Sequence, residues 1–506
     1  MSVRRRALVS ILANTLRAAF GFVTGMLLAR ELSPQGYGEL TFLIGTFVAA
    51  RALMDAGISS AFFTFISQQS RSWRLYLFYC VTQLVQFAVL LLLVTVLIPD
   101  AMLQFIWVEV GERNQVLLAL CATFMQQSVW QAIVQVGEAS RKTLLVQSAN
   151  VAIAMASLGI VVWLSAVGHM SVFSMLVATS ILYLTASLLV GSFLTTVTPI
   201  SAELVPFRSI ASEFWQYCRP MLMLSFFGAV YLFADKWLLQ AFGGAIQQGF
   251  FQVASQFSLI AILVTTSVLG VFWKEIAEAC TTGNSSRVAM LYKYATRILV
   301  VLSASLAGVI VPWSESIVFH FLGADYKQSW TVVAVMLICP IFQSLSQING
   351  AFLMAISRTK LFSAIGVFGM LISLPLSYWA VAPSTAAVPG LEMGALGIAL
   401  KEVSTTVLMV GIQSFFIAAS QGWRIDLVFY FGVTAAMLLL GYLAKLIVSG
   451  AMGYAVVGLN KASLIVAVSL SALIVLVVLL AVGWCNRSAL APFFGNTLLL
   501  KRYLAK

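Results

Sequence analysis

Apolar stretches long enough to cross the ~30 Å hydrocarbon layer of a bilayer as helices, about 20 residues each, recur from one end of this 506-residue chain to the other. Their predicted positions are 8–29, 38–62, 75–98, 115–137, 144–166, 171–196, 219–242, 250–272, 293–312, 328–353, 361–382, 393–417, 427–448 and 463–485. Only 9% of the residues are charged, where a soluble chain needs roughly 25% to cover its surface. Segments of about ten residues with alternating polarity, the mark of a transmembrane β-barrel, are absent. The expectation is an all-α polytopic membrane protein of about 14 transmembrane helices. No stretch between them is long enough for a soluble domain, so function must lie within the bundle. The first run follows Arg4-Arg5-Arg6 as a signal peptide would, but it contains Arg17 and ends in Leu28-Ala29-Arg30 without a small-x-small cleavage site, and is read as a retained first helix.

Lys and Arg in short loops set orientation. With the N-terminus cytoplasmic, twenty of the 29 basic residues fall in the segments on that side, among them Arg71, Arg74, Arg141, Lys142, Arg208, Arg287, Lys293, Arg297, Arg358 and Lys360. Arg30, Arg113, Lys327 and Lys461 fall outside. Both termini are therefore expected in the cytoplasm, with the basic tail Lys501-Arg502…Lys506 lying on anionic headgroups. The net charge of +12 is accounted for as orientation signal, and no nucleic-acid partner is expected.

Two internal similarities suggest a repeat of six helices. Without gaps, Gln126, Ser140, Arg141 and Leu144 coincide with Gln343, Ser357, Arg358 and Leu361 at an offset of 217, and the stretch from Leu27 echoes that from Leu238. An even number of helices returns the second copy in the same orientation. The copies would be two lobes related by a pseudo-twofold along the membrane normal, a parallel repeat. The expected organisation is a six-helix lobe over 1–200, a second over 201–420, and two extra helices with a basic tail over 421–506.

Charges near the bilayer centre cost about 2.5–3.5 kcal/mol each on insertion scales, and by default mark an inward-facing functional group. Here they are Arg17 on helix one, Arg51 and Asp55 on helix two, Asp235 and Lys236 on helix seven, and Lys401 and Glu402 on helix twelve. Lys445 is expected to snorkel. Polar and small residues continue these positions at helical spacing: Asn14, Arg17, Gly21 and Gly25; Gly390, Gly394, Gly397, Lys401 and Thr405; Thr123, Gln127, Gln131, Gln135 and Glu138. Such stripes turn toward a common interior, because lipid offers them no partner. Two plainer readings stand beside the functional one: Arg51 and Asp55 at i,i+4 can simply pair with each other, and the glycines can serve close helix packing. Four cations against three acids leave a cavity with a positive excess, suited to a phosphate or pyrophosphate. A proton or Na⁺ path would instead use Asp55, Asp235 or Glu402.

No phosphate loop, HExxH, GxSxG or dinucleotide fingerprint occurs, so neither ATP hydrolysis by a P-loop nor an enzymatic activity is expected. A polymerase or glycosyltransferase would need a large catalytic outer loop. The six cysteines, Cys80, Cys121, Cys218, Cys280, Cys339 and Cys485, show no paired spacing, and His169 and His320 stand alone; no metal or cofactor is expected.

Asn14…Arg17…Gly21-Phe22…Leu27-Leu28-Ala29-Arg30-x-Leu32-Ser33-Pro34…Gly36-Tyr37-Gly38, followed by Asp55-x-Gly57-Ile58, resembles the Wzx-type polysaccharide flippases. These belong to the superfamily that also holds drug/cation antiporters and lipid II flippases. The resemblance implies a bacterial inner-membrane flippase whose cargo is an undecaprenyl-pyrophosphate-linked oligosaccharide, moved to the periplasmic leaflet by alternating access. It implies that Arg17, Arg51, Lys236 and Lys401 line the cavity, that the prenyl tail lies beside helices thirteen and fourteen, and that the partners are membrane lipids and other polysaccharide assembly proteins. The alternative is an ion-coupled multidrug or metabolite antiporter of the same superfamily.

Overall fold

The computed structural model describes residues 3–108, 112–197, 205–281, 285–423, 426–452 and 460–485. The Arg4-Arg5-Arg6 side chains, Arg424 and the basic tail lie outside what is described. All regular structure among the described residues is helical. In order, α1 is Val3–Asp55, α2 Ile58–Gln68, α3 Trp73–Leu97, α4 Arg113–Ala139, α5 Thr143–Val167, α6 Val172–Val197, α7 Phe207–Cys218, α8 Leu222–Thr281, α9 Ser285–Ile310, α10 Ala324–Ala355, α11 Thr359–Val381, α12 Gly394–Gln421, α13 Leu427–Ala451 and α14 Lys461–Cys485. Among the described residues, eleven helices, or twelve with a bent pair taken as one span, are long and apolar enough to cross a membrane. Dividing the two spans that contain an internal break is compatible with fourteen.

Those breaks organise the bundle. A straight helix of 53 or 60 residues would run to about 80–90 Å at 1.5 Å per residue, far more than a bilayer accepts. Each is interrupted once, α1 at Ser33 (φ 61, ψ 170) and α8 at Gly244 (φ 73, ψ 178). Pro34 opens the second arm of α1, where its fixed φ suits a first helical position and its missing N–H costs nothing. Sequence periodicity predicts a loop over 30–37, and the structure replaces it with a single left-handed residue.

The two breaks press on each other, and α1 and α8 form the most extensive helix pair in the molecule. Gly38 has no room for a Cβ because of the Ala245 carbonyl, and Gly249 has none because of the Pro34 carbonyl. These contacts are reciprocal at a constant offset of 211, the offset that relates Leu27 to Leu238. A second reciprocal pair obeys the same offset: the Gln256 side chain fills the space over Gly25, and the Lys236 side chain fills the space over Gly45. The seam therefore has the form an approximate twofold axis produces.

At the α4–α5 turn the repeat register differs from the expected 217. The left-handed turn residues are Arg141 (φ 59) and Ser357 (φ 61), and the following helices open at Thr143 and Thr359, an offset of 216. A π turn over Met125–Trp130 adds one residue to α4, which is the size and direction of the slip.

The chain between the two halves forms α7, an amphipathic helix whose Ile210, Phe214 and Cys218 bury against Phe62, Phe65 and Leu75. Arg71 holds it by a two-pronged ion pair with Glu213 at 2.9 and 3.2 Å. At the far end, α13 packs on α9 where Gly308 and Gly441 meet backbone to backbone. Lys445 does not merely snorkel: its ammonium donates to the Pro312 carbonyl at 2.7 Å and lies over the Trp313 ring. Trp313 in turn donates to Ser471 of α14 at 3.2 Å.

Because the seam has no slack at Gly249, Gly249→Ala is expected to cost about 1–3 kcal/mol by overpacking. Gly159→Ala, where nothing lies within 4 Å, is expected to be neutral or to stabilise by up to about 1 kcal/mol. Denaturant unfolding of the detergent-solubilised proteins measures both, and equal stability of the two variants would show that the seam is loosely packed.

Candidate functional site

Two polar clusters lie within the bundle, one on each long helix. The first forms where the second arm of α1 ends. Periodicity predicts helix two to continue to residue 62, but Ala56 (φ 44) and Gly57 (φ 90) break it directly after Asp55. The break aims the first turn of α2 back at the Asp55 carboxylate, which accepts from the Ser59 amide at 3.2 Å and from the Ser59 hydroxyl. An acid at a helix start satisfies otherwise unpaired N–H groups and suits the helix dipole. Arg51 approaches Asp55 only to 3.9 Å. Its closer bonds are to Ser128 of α4 at 2.9 Å and to Ser59 at 3.2 Å, and Tyr79 of α3 closes the cluster 3.1 Å from Ser59.

The second cluster joins α8 to α12. Lys401 lies 2.6 Å from Asp235 and 3.6 Å from Glu402, with its side chain 2% exposed. Asp235 also accepts from Ser377 of α11. Tyr231, one turn before Asp235, donates to Glu402 at 2.9 Å and places its ring 5.1 Å from the Lys401 ammonium. No acid stands at helical spacing from Lys401; its nearer partner, Asp235, comes from α8, with the neighbouring Glu402 farther off.

Of the seven intramembrane charges, five are thus absorbed in the clusters. Arg17 and Lys236 have no ion pair or hydrogen bond among the described residues. Lys236 follows Asp235, whose carboxylate is already engaged, and projects into the seam over Gly45. Arg17 is exposed, as are Asn14 and Gly21 on the same face, while Gly25 is buried. That face of α1 is closed near the break and open toward the N-terminus. On α6, the Tyr183 hydroxyl accepts from Gln126 of α4 at 3.0 Å.

The other stripes are modified. Gly390 precedes α12, which starts at Gly394, although Gly390 still packs tightly against the Ala382 carbonyl. In α4 the π turn disrupts the glutamine stripe: Gln131 is exposed, and Glu138 bonds locally to Thr143 and Gln147. Ser59, Tyr79, Ser128, Tyr231 and Ser377 are the cluster members that sequence reasoning missed. A lone hydroxyl in an apolar run gives no signal of its own, and only Ser59 and Tyr231 stand at helical spacing from a charge, four residues from Asp55 and Asp235. No group of three or more metal-ligating side chains occurs among the described residues.

No family model matches the chain, and no curated protein matches it in sequence. Solved structures do. A lipid II flippase, MurJ, in an inward closed conformation superposes with a TM-score of 0.71 at 14% identity, over 95% of this chain and 99% of that one. An inward-facing multidrug resistance transporter of the MATE family, within the MOP superfamily, gives 0.63 at 13% identity, over 81% and 98%. A MOP superfamily transporter from Pyrococcus furiosus, described as having a binding pocket of reversed polarity, gives 0.54 at 12% identity, over 82% and 95%. The chain has the fold these transporters share.

Removing one partner of a buried ion pair leaves a stranded charge worth about 3–5 kcal/mol. Asp235→Asn is accordingly expected to destabilise strongly, and Asp235→Asn combined with Lys401→Met to regain most of the loss. Thermal unfolding of the three proteins in detergent tests this; an unchanged midpoint for Asp235→Asn alone would mean that Lys401 does not depend on the pair.

Proposed function

We propose that this chain is a flippase that moves an undecaprenyl-pyrophosphate-linked oligosaccharide from the cytoplasmic to the periplasmic leaflet for cell-surface polysaccharide biosynthesis. It works by alternating access between lobes spanning 1–200 and 201–420, with both termini cytoplasmic in a bacterial inner membrane and the 421–506 region as an addition. The observation that carries this reading is the unpaired positive charge. Arg17 and Lys236 make no ion pair or hydrogen bond among the described residues, Lys236 having beside it only Asp235, which Lys401 already holds, whereas the acids Asp55, Asp235 and Glu402 are all engaged. Unpaired cations at bilayer depth cost too much to retain without a ligand, and pyrophosphate supplies the missing charge in a low-dielectric setting.

In this mechanism the open face around Asn14, Arg17 and Gly21 admits the headgroup while the seam at Ser33 and Gly244 keeps the opposite side shut. Lys236 is released from over Gly45 as the seam parts. Arg51, held by Ser59 and Ser128, adds positive field without leaving its place. The likeness of fold to a lipid II flippase supports a lipid-linked cargo, and the resemblance of the first eighty residues supports the polysaccharide branch.

A second reading, an ion-coupled multidrug or metabolite antiporter, is favoured by one feature: Asp235 and Glu402 both converge on Lys401. Protonating either acid would loosen that cluster, which is how an ion gradient could be coupled to movement. The MATE-like fold agrees with it.

Complementation of a deletion strain separates the two. Arg17→Gln and Lys236→Gln, each at parental membrane levels, are expected to cut surface polysaccharide at least tenfold, the loss of about 1.4 kcal/mol of differential binding, with no change in drug susceptibility. Normal polysaccharide in both variants, or an efflux defect on deletion, would favour the antiporter.

A further inference from the structure

We infer that a cavity of about 310 Å³ between α9, α12 and the start of α13 binds the headgroup of an anionic glycerophospholipid, separately from any transported cargo. The cavity is walled by Tyr292, Trp423 and Tyr430 and carries Lys293 and Asp426. It lies at helix ends: two turns into α9, in the last turns and cap of α12, and in the first turn of α13. Aromatic rings with polar edges concentrate at headgroup depth in this way.

The charge balance of the cavity selects the sign of the ligand. Arg297 places both Nε and Nη2 on a single oxygen of Asp426, at 3.1 and 2.7 Å, and stacks on the Phe429 ring. Asp426 is neutralised by that contact. Lys293, one turn earlier on α9, reaches the same oxygen only at 4.0 Å and is 57% exposed. Its charge is surplus and faces the opening. The inner wall is polar but already satisfied: Tyr292 donates to Asn349 at 2.6 Å, and Asn349 donates to Ser414 at 3.1 Å. Among the described residues, a group bound here therefore meets one exposed, loosely held cation, flat apolar rings and a saturated wall.

A phosphodiester with a small polar head fits that description, and an acyl chain has somewhere to go. Along α12 and α13 runs an open apolar groove of about 510 Å³ lined by Val407, Leu408, Gly411, Phe415, Leu427 and Phe431. A free phosphate would use the cation and leave the groove empty, whereas a phospholipid occupies both.

Full-length protein in maltoside micelles, titrated with dioleoylphosphatidylglycerol, dioleoylphosphatidylcholine or glycerol 3-phosphate, distinguishes these ligands through the midpoint of thermal unfolding. Phosphatidylglycerol is expected to raise the midpoint in a saturable way and the other two to have little effect. Lys293→Gln should weaken the response roughly fivefold, the effect of one basic residue at an anionic headgroup. Lys293→Arg should keep it, and so should Lys360→Gln, which removes an exposed lysine elsewhere. Equal stabilisation by phosphatidylcholine or by glycerol 3-phosphate would overturn the proposal, as would equal losses in Lys293→Gln and Lys360→Gln.

Discussion

Two helices of more than fifty residues have to be folded back within a bilayer, and the places where they fold are where the molecule holds together. Ser33 and Gly244 supply the only left-handed residues inside α1 and α8 among the described residues. Each bend seats a glycine of one helix against a carbonyl of the other. Without water to satisfy it, an irregular backbone at membrane depth is tolerated only where protein covers it. The two bends cover each other, so neither could persist alone.

From this seam the placement of charge follows. Residues that precede or follow a bend by a fixed number of turns face the partner helix, which is why Gly25, Gly45, Lys236 and Gln256 all meet there. Positions farther along the arms belong to the clusters around Arg51 and Lys401, where hydroxyls and carboxylates from neighbouring helices complete the bonding. Buried ion pairs are weak evidence for stability, because desolvation offsets much of the attraction.

Much of this was legible in the sequence because hydrophobic runs and loop charges are signals summed over many residues. The helical class and a number of spans compatible with the structure came from such sums, and the offset of 211 came from the likeness of the stretches at Leu27 and Leu238. Three things did not. The π turn in α4 shifts one register by a residue and leaves no mark in composition. The break at Ala56–Gly57 falls inside a run that reads as continuous helix. The partnership of Lys401 with Asp235 joins residues 166 positions apart, which depends on packing between helices and not on spacing within one. Ser128 and Ser377 were invisible for the same reason, since a serine in a transmembrane helix normally bonds its own backbone.

The attachment of α13 and α14 sets what can move. Their main contacts are all with the second half of the chain, through Gly308 against Gly441, Lys445 at the Pro312 carbonyl and Trp313 at Ser471. The pair is thus a passenger of that half. Because these contacts all anchor on α9 and the segment after it, α13 and α14 are fixed to that part of the bundle as one body, and severing any of them would loosen the pair without touching the seam of α1 and α8.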